Sequence, residues 1–138
     1  ASTAQQCNGK LGAIIMPDML IAEITLENIY DAYILVGGPG TLSLLESAEL
    51  KILLKNAYEQ EKLMCAICMA PKILLTWGLL NTKATSWDGV AEDIKQAGIE
   101  HTGEKVCVDD SDSKHVVITA RGPDATIEFA KAILENMF

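Results

Sequence analysis

The chain has 138 residues, 49% of them hydrophobic and 22% charged, with a formal net charge of −8 and a pI of about 4.6. That length suffices for one domain with one core, and the acidity argues against nucleic acid or an anionic membrane surface as partner, because phosphate recognition needs clustered Lys and Arg. No apolar run approaches a membrane span, no secretory signal opens the chain, and the 4 irregularly placed cysteines suit reduced thiols in a cytoplasm better than a disulfide framework.

Residues 1–8 are polar and carry little information. Residues 10–16 read as a strand ended by Pro17-Asp18, and 19–29 as a short helix or an ordered loop. Residues 30–36 are a strand, followed by the tight loop Gly37-Gly38-Pro39-Gly40-Thr41. Residues 43–60 have a helical apolar stripe through Leu44, Leu45, Leu50, Leu53, Leu54 and Ala57, with capping-box spacing between Ser43 and Glu46. The run Leu63 to Ile67 is a buried strand, and Pro71 opens the helix after it, which ends near Gly78. Residues 83–87 form a short extended piece. Residues 88–96 are helical and stop at Gly98. Residues 105–109 and 115–120 make a hairpin around Asp110-Ser111-Asp112-Ser113. Pro123 opens the last helix, 124–136, with Ile127, Ala130, Ile133 and Leu134 on one face. Strands alternating with helices predict a mostly parallel sheet covered on both sides, with a small antiparallel addition.

The chemistry centres on Cys68. It stands at the corner between the strand 63–67 and the helix opened by Pro71, where amides of the next turn favour negative charge and hence the thiolate. A free cysteine is ordinarily a small buried apolar residue; the corner position points instead to a nucleophile elbow with Cys in the place of Ser. Two glycines at 37 and 38 explain a tight turn unaided. The other reading is an oxyanion pocket in which Gly37 and Gly38 bring the N–H of Gly38 towards that of Met69. A phosphate loop fits poorly, since Gly-Gly-Pro-Gly-Thr matches neither nucleotide pattern and Pro39 removes a donor. Cys65 and Cys68 are formally C-x-x-C, but three extended residues cover about 10 Å, beyond the roughly 7 Å a disulfide spans between Cα atoms. Cys65 is therefore expected in the core. Cys107, His101 and His115 lack a second paired spacing for a metal, and both histidines are expected to face solvent near turns. Trp87 and Pro39 are candidate walls of the site.

Three segments resemble the ThiJ/PfpI superfamily, which is related to class I glutamine amidotransferases and includes the parkinsonism-associated redox protein. They are Tyr30-Asp31-Ala32-Tyr33-Ile34-Leu35-Val36-Gly37-Gly38-Pro39-Gly40, the elbow Ala66-Ile67-Cys68-Met69-Ala70-Pro71, and Ile118-Thr119-Ala120-Arg121-Gly122-Pro123-Asp124 followed by Phe129-Ala130. The resemblance runs from about Leu11 to Leu134. It implies a flavodoxin-like three-layer α/β/α sandwich over 1–138, with Arg121 as a structural residue near the site. It further implies a homodimer and glyoxalase, deglycase or amidase-like attack by Cys68 on a small carbonyl or amide substrate. No metal and no organic cofactor is implied. The alternative is a non-enzymatic stress sensor or chaperone-like protein in which Cys68 is reversibly oxidised.

Two departures from the family pattern bear on mechanism. Members carry a β-α-β unit ahead of the first strand read here, and its first part supplies a Glu that hydrogen-bonds the cysteine. This chain starts with Ala1, so either it is a fragment, the missing unit being cleaved or supplied as a separate segment, or the family site is incomplete. The fragment is the expectation, since a parallel sheet stripped of its first strands would leave unpaired edges and bare apolar faces. Members also carry a His, either directly after the Cys, where Met69 stands, or at the place held by Trp87.

Overall fold

The structure is a computed structural model that describes residues 1–9, 11–25 and 30–137. Its elements in chain order are β1 (Cys7–Asn8), β2 (Ile14–Ile15), β3 (Ala32–Val36), α1 (Ala48–Glu59), β4 (Leu63–Ile67), α2 (Pro71–Thr76), β5 (Lys83–Ala84), α3 (Asp88–Gln96), β6 (Glu100–His101), β7 (Val106–Asp109), β8 (Val117–Ala120) and α4 (Thr126–Met137). The central sheet has the order β3-β4-β8-β7. β4 pairs parallel with β3 and with β8, and β7 closes the far side antiparallel to β8. A small parallel pair, β5 and β6, lies outside that sheet.

β4 explains the three layers. It is buried on both faces, as its unbroken apolar run requires. Because side chains alternate along a strand, Met64 and Ala66 enter a core with Leu53 and Leu54 of α1, Ile73 and Leu74 of α2, and Val90 and Ile94 of α3. Leu63, Cys65 and Ile67 enter a second core with Ile118, Ala120, Phe129 and Ile133. This is the flavodoxin-like α/β/α arrangement expected from the alternation of elements, with three helices on one face and α4 on the other.

β3 is the open edge of the central sheet among the described residues. The Leu63 N–H donates to the Asp31 carbonyl and the Gly37 N–H to the Ile67 carbonyl. Odd-numbered residues of β3 therefore address β4, and the amides of Ala32, Ile34 and Val36 address the open side. The side chains of Ile34 and Val36, on the α4 face, are 51% and 73% exposed.

Several expectations change. The strand expected over 10–16 is two residues long, Ile14–Ile15, and pairs with Cys7–Asn8 beside a turn held by Gly12 at φ +85°, apart from the central sheet; Lys10 lies outside the described residues. Of the ambiguous segment 19–29, Ile21–Glu23 is a 3₁₀ turn, and 26–29 lie outside the described residues. The helix expected from Ser43 is two pieces, a 3₁₀ turn Thr41–Glu46 and then α1. Ser47, not Ser43, caps α1 by accepting from the Leu50 N–H at 3.2 Å, while the Ser43 hydroxyl donates to the Gly40 carbonyl. Of the piece expected over 83–87, only Lys83–Ala84 is strand.

The inward face of α4 also differs. Phe129, Ala132 and Ile133 pack on the sheet, whereas Ile127 and Leu134 are 70% and 58% exposed and Ala130 is exposed too. The spacing of 125, 129, 132 and 133 is as helical as that of 127, 130, 133 and 134. The 3₁₀ turn Pro123–Ala125 sets the rotation at which the helix starts and buries Ala125.

Candidate active site

Cys68 takes φ +66°, in the left-handed region that non-glycine residues rarely adopt. Such a conformation costs about 1–3 kcal/mol and persists only where its surroundings hold it. Both sides of the residue are held here. Its N–H donates to the Ala120 carbonyl at 2.9 Å, and its carbonyl accepts from the Trp87 N–H at 2.9 Å. The Ala70 N–H turns back to the Ile67 carbonyl, and Pro71 starts α2 with the φ that proline imposes. α2 has only six residues, so any favourable field at the sulfur comes from its first amides rather than from a long helix dipole.

The glycine pair divides its work. A Cβ on Gly37 would sit 2.5 Å from the Ile67 carbonyl oxygen and 2.5 Å from the Met69 nitrogen. Gly37 therefore lets the β3 loop lie directly against the elbow amides. A Cβ on Gly38 would meet nothing nearer than Thr41 Oγ1 at 3.9 Å, so sterics do not require glycine there. Among the described residues neither the Gly38 N–H nor the Met69 N–H has a protein acceptor. Two unengaged amides thus flank the contact between the glycine loop and the elbow.

Cys68 is half-buried and lines an apolar cavity of about 390 Å³ with Ile34, Val36, Ile67, Phe129 and Ile133. No acidic side chain and no histidine is among the described residues lining it. The two thiols of the central sheet are sealed, while Cys7 in β1 is half-buried. Cys65 is 0% exposed and burial pushes its pKa up to about 12; burial likewise raises Cys107 to about 11. Cys65 is thus a core residue, and both it and Cys68 are free thiols.

The remaining candidates are dispersed. The Trp87 indole is about half exposed and folds over Gly89, while its backbone N–H reaches Cys68. Pro39 is exposed and lies outside the cavity. Arg121 forms an ion pair with Asp124 one turn ahead, which holds that carboxyl below the usual range, and its N–H donates to the Lys105 carbonyl. Among the described residues no three His, Cys, Asp or Glu side chains gather as metal ligands.

Neither histidine simply faces solvent. His115 stacks on Tyr58 at 4.2 Å and its Nδ1 lies 2.6 Å from Asp112 Oδ2. His101 is half-buried, with Nε2 3.1 Å from the hydroxyl of the buried Ser86. Sequence spacing carries no sign of that contact, because 15 residues and a helix separate the two.

A parallel-rich sheet with helices on both faces, and a cysteine on one of its strand-to-helix corners, places the molecule among flavodoxin-like α/β proteins. The chain belongs to the DJ-1/PfpI family, whose model matches residues 1–136. It is 31% identical over 126 residues to the glutathione-independent glyoxalase DJR-1.2 of Caenorhabditis elegans, covering 91% of this chain and 64% of that protein. It is 31% identical over 133 residues to the Parkinson disease protein 7 homolog of Danio rerio, covering 96% and 68%. Among solved structures, a two-domain protein with DJ-1/ThiJ/PfpI-like and ferritin-like domains from Anabaena variabilis superposes with a TM-score of 0.85 at 26% identity, covering 98% of this chain and 38% of that one. The chain thus spans about two thirds or less of the length of these proteins. Among the described residues no helix is long and apolar enough to cross a membrane.

Proposed function

We propose that Cys68 is the nucleophile of a glyoxalase- or deglycase-like reaction on small reactive carbonyls, with amide chemistry of the same form, run without metal or organic cofactor. The thiolate adds to the carbonyl carbon. A C–S bond forms as the C=O π bond breaks, and the electron pair moves to oxygen. The Gly38 and Met69 N–H groups stabilise that oxyanion, and a proton from solvent completes the hemithioacetal. The observation that carries this reading is Cys68 itself, held at φ +66° on the corner between β4 and α2 and opening on a cavity. The name of the nematode relative supports the same chemistry.

Among the described residues the cavity supplies neither an acid nor a base. General acid–base help is worth about 10²–10⁴-fold, so turnover by residues 1–138 alone is slow. A segment that pairs with the open edge of β3 and lays a helix over Ile34, Val36 and Phe129 would bring the carboxyl side chain that the resemblance calls for. The homodimer and the cytoplasmic setting belong to the same proposal. Methylglyoxal consumption by the wild type and by Cys68→Ser tests the chemistry. The variant is expected to lose all turnover above background, and equal rates in the two proteins refute the reading.

A second reading is favoured by the contrast among the thiols. Cys68 is half-buried while Cys65 and Cys107 are sealed, so of these three thiols peroxide would oxidise Cys68 first, as a stress sensor or a chaperone-like protein requires. Peptide mass spectrometry after brief peroxide should place one or two oxygens on Cys68 and none on Cys65 or Cys107.

A further inference from the structure

The loop that grips Cys68 is itself gripped from β6. The Trp87 N–H donates to the Cys68 carbonyl at 2.9 Å. The Ser86 hydroxyl donates to the Trp87 carbonyl at 3.0 Å and lies 3.1 Å from His101 Nε2. A hydroxyl has one proton to give. With that proton on the Trp87 carbonyl, His101 presents Nε2–H to Ser86. The chain of contacts runs from His101 to Ser86, to the Trp87 backbone, to the Cys68 carbonyl.

The last contact reaches the proposed chemistry. The Cys68 carbonyl and the Met69 N–H belong to one planar trans peptide and point in opposite directions. A donor that pins the oxygen therefore also aims the nitrogen. Met69 N–H is one of the two unengaged amides beside the glycine loop, and the residue carrying that peptide sits at φ +66°, which relaxes toward the ordinary regions when released. Thr85 braces the same loop from the sheet. Its N–H donates to Thr119 Oγ1 at 2.9 Å and its hydroxyl donates to the Glu104 carbonyl at 2.7 Å. That brace fixes the residue before Ser86, whereas His101 is the side chain that acts on the Ser86–Trp87 turn itself.

We infer that His101 is a positioning residue which, through buried Ser86 and the Trp87 backbone, orients the Met69 N–H as an oxyanion donor. This rests on the reading of Cys68 as a nucleophile for its purpose, but its geometry is measured without turnover. The variants are Ser86→Ala, His101→Ala and His101→Gln, the last keeping a side-chain N–H near the position of Nε2. Amide hydrogen exchange by NMR reads the Trp87 N–H directly. Its protection is expected to fall about tenfold in Ser86→Ala and His101→Ala relative to neighbouring α3 amides, and to return in His101→Gln. Methylglyoxal kinetics read the consequence. The value of kcat is expected to fall about 10- to 100-fold with KM little changed. Iodoacetamide alkylation of Cys68, which builds no oxyanion, should stay within about threefold of the wild type. Unchanged Trp87 protection in His101→Ala overturns the inference, as does failure of His101→Gln to restore it. Loss of protection in a protein whose wild type consumes no methylglyoxal upholds the relay and removes the enzyme reading alone.

Discussion

The two faces of the central sheet are finished differently. On the α1–α3 face, Leu54, Ile73, Leu74 and Ile94 are fully buried against Met64 and Ala66. On the α4 face, burial is equally complete beneath Phe129 and Ile133 but stops at β3, where Ile34 and Val36 stand open. Cys65 and Cys68 lie three residues apart across that boundary. One sulfur is packed under α4 with its ionisation suppressed by burial, and the other opens on a cavity. Covering decides which thiol opens on a cavity and which is core, more than the residue type or its neighbours in the chain.

The largest expected effect tests that contrast at the thiols. With a pKa of about 12, roughly one Cys65 in 10⁵ is ionised at pH 7, and its sulfur is sealed besides. Brief iodoacetamide treatment of the native protein followed by peptide mass spectrometry should label Cys68 at least about a thousandfold faster than Cys65. Denaturant should erase the difference. Comparable native labelling would show that the α4 face opens far more than its packing allows.

The next effect concerns the corner. Gly37→Ala should cost about 3 kcal/mol or more, since its methyl would overlap two backbone atoms of the elbow that cannot retreat. Gly38→Ala should stay within about 0.5 kcal/mol. Urea melts of the pair measure the difference, and equal midpoints would mean that the β3 loop does not rest on the elbow.

The faces themselves come third. Leu54→Ala, on the closed face, should cost about 2–5 kcal/mol. Ile34→Ala, on the open face, should cost less than about 1 kcal/mol, because half its surface already meets water. A large loss from Ile34→Ala in the isolated chain would reveal a cover over β3 in solution.

The smallest effect lies at the opposite edge of the sheet, where Asp109 ties β7 to β5. Burial pushes its carboxyl up, but hydrogen bonds outweigh that: from Ser111 and from the backbone N–H groups of Lys83, Thr82 and Ser111. They hold it below the usual range. A lowered folded-state pKa stabilises the fold above the unfolded value, about 3.9, and that contribution vanishes as pH falls through the lower folded value. Asp109→Asn should cost about 1–3 kcal/mol at pH 7, with the gap to the wild type closing in urea melts taken down to pH 2.5. A gap independent of pH would assign the cost to shape rather than charge.

Much of this was legible in the chain. The apolar run 63–67 followed by Pro71 announces a buried strand and an immediate helix, which leaves Cys68 on the corner. Gly78 and Gly98 marked helix ends and take φ +70° and +79°. The inward face of α4 was not legible, since two stripes of equal period compete and docking chooses between them. The split of the segment 41–59 was not legible either, because Ser43 and Ser47 are both plausible caps and only the glycine loop's path selects the second.

The sequence by itself determined the order of the central-sheet strands and the four helices, the sealed centre of the sheet and the residue at the strand-to-helix corner, because these follow from short-range periodicity and from what proline and glycine permit; the short strands Cys7–Asn8 and Glu100–His101 left no such sign. Tertiary structure alone decided that Gly37 touches the corner amides, that Ser86 meets His101, and that among the described residues β3 stands at the edge of the sheet. Those are contacts between segments distant along the chain, and hydrophobic pattern says that a face will be buried without saying against what.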